Sequence, residues 1–135
     1  MTTSFVNFYL DSSVQKIALH HKEQLVLVEI HKIIRCKSDN SYTEFIILND
    51  QGKKKFYSRI VVSKGFYHFE EVLMSSGLFF RIHNQHIINI NFLSKIIKTN
   101  CSYALMEDNT NELLPIARSR KKEFFNFLKY SCANV

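Results

Sequence analysis

Phe79-Phe80-Arg81-Ile82-His83-Asn84-Gln85-His86-Ile87-Ile88-Asn89 is the stretch on which the fold turns. Apolar, β-favouring ends, Phe79–Ile82 and His86–Ile90, flank a polar centre, which reads as strand, tight turn, strand. Arg, His, Asn and Gln all carry planar hydrogen-bonding groups. Asn and Gln can pair with adenine through two bonds, and Arg with guanine. Asn84 and Gln85 fall at the tip, where exposed contacts are expected. Arg81, His83 and Asn89 lie further down the strands and are expected to support the turn from partly buried positions.

Working outward, the same short-strand grammar recurs. Upstream, Lys16–Leu19 and Leu25–Ile30 are strand candidates joined by the polar stretch His20–Gln24. Ile33–Cys36 is another, followed by a polar turn over Lys37–Ser41. Tyr42–Leu48 is β-branched and aromatic, and Asn49–Gly52 carries a hairpin-turn signal. Lys53–Val61 alternates, with Phe56, Ser58 and Ile60 on one face and Lys55, Tyr57 and Arg59 on the other. The period then changes. Phe66, Phe69 and Leu73 recur at helical spacing over Ser63–Ser76, with Ser63 as N-cap and Gly77 as the stop. Downstream, Lys95–Lys98 and Tyr103–Met106 read as a hairpin turning near Asn100, and Glu112–Ile116 as a last strand. Ser119–Tyr130 reads as a C-terminal helix with Phe124, Phe125 and Leu128 inward. Residues 1–14 lack periodicity and are expected to be a lead-in or linker; 15–135 are expected to form one domain. The fold class expected is mainly β: about ten short strands in antiparallel sheets, one inserted helix and a C-terminal helix.

The 135 residues carry a formal charge of +6 and are 46% hydrophobic, enough for a single core-bearing domain with a preference for polyanionic partners. The cations cluster. Lys53, Lys54, Lys55, Arg59 and Lys64 form one group; Arg118, Arg120, Lys121, Lys122 and Lys129 form another. Acids gather elsewhere, at Glu107, Asp108 and Glu112. No apolar run approaches the ~20 residues of a membrane helix, and no secretory leader is visible at Met1–Asp11. Three cysteines, Cys36, Cys101 and Cys132, are too scattered for a metal or redox motif and read as reduced thiols of a cytoplasmic protein. No phosphate loop, nucleophile elbow or zinc-protease motif is present, so no catalytic residues, cofactor or metal are expected. His83 and His86 lie close in sequence but lack a nearby Asp, Glu or Cys to complete a ligand set.

The quoted stretch resembles the signature of LytTR DNA-binding domains, F-F-R-x-H-x-S-x-[LIV]-[VI]-N. Phe79, Phe80, Arg81, His83, Ile88 and Asn89 match, and Gln85 stands where serine is usual. Ile33–Cys36 with Asn40-Ser41-Tyr42-Thr43 resembles the family's early strand, polar loop and strand. Leu114-Pro115-Ile116-Ala117-Arg118 resembles its closing L-P-V-S-R segment, with Ala117 for serine. The likeness extends from about Gln15 to Leu128 and implies stacked antiparallel sheets whose edge loops enter major grooves of double-stranded DNA. It implies base or backbone contacts from Asn40, Ser41, Asn84, Gln85 and Arg118. Arg120, Lys121 and Lys122 adjoin that set and are expected to hold phosphates. The implied role is a bacterial transcription regulator, the output module of a two-component system, acting on paired repeat sites. Members often follow a receiver domain. With 14 residues ahead of the first strand, this chain is expected to be a stand-alone regulator, an excised domain or the partner of a separate sensor. The competing reading is a basic protein-interaction module that binds an acidic partner.

Overall fold

A computed structural model describes residues 15–51 and 54–132. The lead-in expected at 1–14, Gly52 of the hairpin signal and Lys53 at the start of the strand expected after it lie outside the described residues. Among the described residues there are ten strands: β1 (Lys16–His21), β2 (Gln24–Glu29), β3 (Ile33–Asp39), β4 (Tyr42–Gln51), β5 (Lys54–Val62), β6 (Phe79–His83), β7 (His86–Asn89), β8 (Leu93–Lys98), β9 (Ser102–Met106) and β10 (Leu113–Pro115). Two α-helices accompany them, α1 (Glu70–Ser75) and α2 (Lys121–Ser131). Every strand pair is antiparallel.

A five-stranded sheet, ordered β5-β4-β3-β7-β6, is the centre of the molecule. Its neighbours in sequence face opposite ways and both faces are covered. Phe45 and Ile47 join Ile17, Leu19, Val28, Phe66, Phe69 and Leu73 in one core, beneath the β1–β2 hairpin and α1. Ile46 joins Ala104, Met106, Leu114, Ile116 and Phe124 in a second, beneath the β10-β9-β8 sheet and α2. That is why 45–48 is an unbroken apolar run: a strand buried on both faces has no solvent side to mark with polar residues.

The strands run longer than their apolar cores. β3 continues through Lys37, Ser38 and Asp39, so the polar turn expected at Lys37–Ser41 narrows to Asn40-Ser41. β4 likewise runs through Asn49 and Asp50, which pair with Phe56 and Lys55 rather than turning. Asn49 Nδ2 donates to Ser58 Oγ at 2.6 Å, a cross-strand bond that offsets its weak β preference. On β5, Ile60 packs against the first core and Tyr57 against the second, as the alternation required.

The inserted helix departs from expectation at its start. Ser63 does not cap it; Gly65 is extended, with ψ 177°, and Phe66–His68 form a 3₁₀ turn ahead of α1. Gly65 explains the delay. A Cβ there would lie 3.1 Å from the carbonyl oxygen of Asn40, so the chain passes too close to the β3–β4 turn to coil earlier. Phe66, Phe69 and Leu73 still reach the first core. Gly77 ends the helix as expected, at φ 77°, its N–H donating to Met74 O at 3.1 Å. The C-terminal helix likewise begins two residues late, Arg118–Arg120 forming a 3₁₀ turn before it. Among the described residues no helix is long and apolar enough to cross a membrane.

Candidate nucleic-acid interface

β3 and β7 are adjacent and antiparallel, with Lys37 opposite His86. Their register puts two tight turns side by side at one sheet edge, Asn40-Ser41 between β3 and β4, and Asn84-Gln85 between β6 and β7. Ser38 N–H donates to Gln85 O at 3.0 Å, tying the turns together. Asn40 sits at φ 54°, a left-handed conformation that asparagine tolerates better than most residues.

The β6–β7 turn has two residues, neither with positive φ. Such a turn splays the twisted strands that flank it. A bulge at Ile82 absorbs the mismatch, since Arg81 pairs with Ile87 but His83 with His86. The bulge leaves the Ile82 carbonyl available, and Ala117 N–H donates to it at 2.8 Å. One local irregularity thereby brings Arg118 and the start of α2 beside the turn. Arg120 Nη2 donates to Asn84 Oδ1 at 3.2 Å.

Beneath the tip the side chains lock the turn. Arg81 donates to Glu70 Oε2 at 2.5 Å and to Asn84 O at 2.7 Å, and its guanidinium stacks 5.1 Å from the Phe66 ring centroid. His83 Nδ1 accepts from Gln85 N–H at 3.1 Å. Asn89 is fully buried. Its amide donates to Ile33 O at 2.9 Å and His31 O at 3.3 Å, while its oxygen accepts from Asn91 N–H. The His83 and His86 rings do converge, 5.6 Å apart, but among the described residues no group of three or more His, Cys, Asp or Glu gathers to hold a metal.

Sequence reasoning missed two parts of this region. The first is Gly65–Tyr67, which packs on Asn40 and lines a shallow concavity with Ser38, Asn40, Arg81, Asn84 and Gln85. Tyr67 is 91% exposed there, and Thr43 Oγ1 holds the segment by donating to Lys64 O at 2.6 Å. The spacing of Phe66 and Phe69 had drawn that segment into a helix. The second is a charge network behind the turns. Arg35 is 1% exposed; it donates to Asp108 Oδ2 at 2.6 Å and Glu112 Oε1 at 3.0 Å, and Lys37 reaches Glu112 at 3.3 Å. Burial alone raises the Asp108 and Glu112 carboxyls. The Arg35 guanidinium outweighs it and holds both below their usual range, helped by Thr110 at Asp108 and Lys37 at Glu112. His86, buried beside Arg35, is lowered from 6.5 to about 4, first by desolvation and then by the Arg35 charge. Asp108 and Glu112, two of the acids gathered in the sequence, are thus partners of a buried arginine. A charged residue inside the apolar run Ile33–Cys36 was the available signal.

The residues singled out from sequence divide by place. Asn40, Ser41, Asn84, Gln85 and Arg118 are exposed at or beside the paired turns, although Ser41 does not line the concavity. Arg120 and Lys121 are half-buried and Lys122 exposed. Among the described residues neither Arg118 nor Arg120, Lys121 or Lys122 forms an ion pair. Lys54 and Lys55 stand apart, at the far end of β4 from the Asn40 turn, roughly 30 Å along a strand of that length. The thiols also divide: Cys36 is buried, with its pKa pushed up by desolvation, and Cys101 and Cys132 are exposed and free.

Paired hairpin turns and a basic post-strand segment at one end of antiparallel sheets define a class of mainly β module. Residues 23–129 match the family model of the LytTr DNA-binding domain, and the chain belongs to that family. A solved LytTr DNA-binding domain from Bacillus cereus superposes with a TM-score of 0.62 at 18% identity, over 86% of this chain and 98% of that one. Two curated relatives are the heme-containing CO-sensing transcriptional regulators RcoM 1 and RcoM 2 of Paraburkholderia xenovorans (strain LB400). They are 23% and 24% identical over 84% of this chain. The chain spans 39% of the length of each of these relatives.

Proposed function

We propose that this chain reads double-stranded DNA sequence-specifically and serves a bacterial transcription regulator. The observation that carries the reading is the convergence, at one sheet edge, of two tight turns and the Arg118–Lys122 segment, with exposed planar side chains beside cations that form no ion pair among the described residues. Such an edge suits a major groove about 12 Å wide, with base-edge readers at the tips and cations on the flanking phosphates. Asn84, Gln85, Asn40 and Arg118 supply base or backbone contacts, and Ser41 a backbone contact. Arg120, Lys121 and Lys122 hold phosphates and supply salt-dependent affinity by counterion release. Arg120 has a second task. It donates to one lone pair of Asn84 Oδ1 and so orients the amide, whose other lone pair and Nδ2 are left to read adenine. Arg81, His83 and Asn89 position the turn and contact no base.

Membership of the family and the regulators among the relatives support the transcriptional role. Service as a two-component output module, action at paired repeat sites and residence in the cytoplasm belong to the same reading. Fluorescence anisotropy with a random-sequence duplex across a salt series tests the DNA claim. Log affinity is expected to fall linearly with log salt, and Lys121→Ala to reduce the slope by about 0.9. Absence of binding at low salt overturns the reading; an unchanged slope removes Lys121 from the interface.

A further inference from the structure

A second basic feature lies away from the turns. β8 is an outer strand of its sheet, and the later half of α2 runs beside it, leaving a groove. The floor is Leu93, Ile96, Phe125 and Leu128, all half-buried; the rim carries Lys95, Lys98 and Lys129, all exposed. Lys98 Nζ stands 4.9 Å over the Phe125 ring. Among the described residues none of the three lysines forms an ion pair. Phe125, Leu128 and Lys129 share a helix face by their spacing, while Phe124 points into the second core. Phe125 joins neither core.

We infer that this groove docks an acidic, amphipathic segment of a partner protein, apolar side chains on the floor and carboxylates against the lysine rim. Lysines on an outer strand deter edge-to-edge pairing, which accounts for Lys95 and Lys98. It accounts for neither Lys129, which is on the helix, nor Phe125, whose ring borders the core residue Phe124 at 6.0 Å yet stays half-buried on the groove floor. Phosphates would satisfy the rim and waste the floor. A neutral apolar segment would do the reverse. Only a ligand carrying both chemistries matches the groove. The position fits a second partner too. Lys129 lies about 12 Å along the helix from Lys121, so the groove stays open when the start of α2 faces DNA.

Panning a random peptide display library against the intact chain tests this. Enriched peptides are expected to interleave Asp or Glu with Leu or Phe. A synthetic copy should lose about tenfold in affinity on the double reversal Lys98→Glu/Lys129→Glu. The reversal touches no core residue, so the melting temperature should hold, and binding of a random duplex should stay within about twofold. Enrichment without acids, or peptide binding indifferent to the reversal, overturns the inference. So does displacement of the peptide by duplex DNA, which would assign the lysines to the DNA interface. Concentration-dependent self-association that the reversal abolishes, with no peptide bound, would assign the groove to a second copy and equally overturn it.

Discussion

Arg35 and His86 set the energetics behind the paired turns. Arg35 is a buried cation whose one fully buried counter-charge is Asp108; without it only Glu112 remains, which is half-buried and shared with Lys37. Asp108→Ala should therefore destabilise the fold by about 3–5 kcal/mol, measured by urea denaturation. Asp108→Ala with Arg35→Met should recover much of that loss, because an apolar pair leaves no orphaned charge. A double variant no more stable than the single one would contradict this account. His86 gives a pH signature. Its folded pKa, about 4, lies below its unfolded value near 6.5, so the unfolded chain binds the extra proton first as pH falls. The contribution is complete above pH 6.5 and is lost progressively down to pH 4, up to about 3 kcal/mol in all. His86→Phe should flatten stability across that window. The depressed carboxylates act in the same direction at lower pH, since their stabilisation is present above the unfolded carboxyl pKa and lost as pH falls through the folded one.

Between elements, close approach rather than propensity shapes the edge that carries the paired turns. Gly65→Ala would push on the Asn40 carbonyl from 3.1 Å without straining its own backbone. The β3–β4 turn should shift by a few tenths of an ångström. A several-fold loss of DNA affinity with a melting temperature changed by no more than about 2 °C is expected. An unchanged affinity would separate that turn from DNA. The elements themselves were largely legible. Short β-branched runs, Gly77 and the phenylalanine spacing marked the strands and both helices, and the Phe79–Asn89 stretch marked the hairpin. What was not legible lies in contacts distant in sequence. Nothing local announces that Ala117 will bond to a bulge at Ile82, or that Gly65 must pass Asn40. Asp39 and Asn49 belong to strands only because partners across the sheet hold them. Asn84 was named from its place at the turn tip and Arg118 from the resemblance, but the bond joining Arg120 to Asn84 needed the fold.

At the scale of the whole molecule, charge placement outweighs net charge. Lys54 and Lys55 are far from the turns, several screening lengths at physiological salt, where the Debye length is about 8 Å. Their reversal to glutamate should leave DNA affinity within about twofold at that salt, by the same anisotropy titration. Arg118→Ala should instead remove about 1–3 kcal/mol of discrimination between a preferred and a random duplex, with random-duplex binding reduced much less. Equal weakening of both would make Arg118 a phosphate contact. The central claim, that the paired turns read base sequence, is tested most directly by selecting bound duplexes from a random pool with the wild-type chain and with Asn84→Ala in parallel. The account predicts a defined motif for the wild type, and a motif that loses its preference at the positions facing Asn84 in the variant. No enrichment by the wild type at low salt, or an identical motif from both proteins, would contradict it.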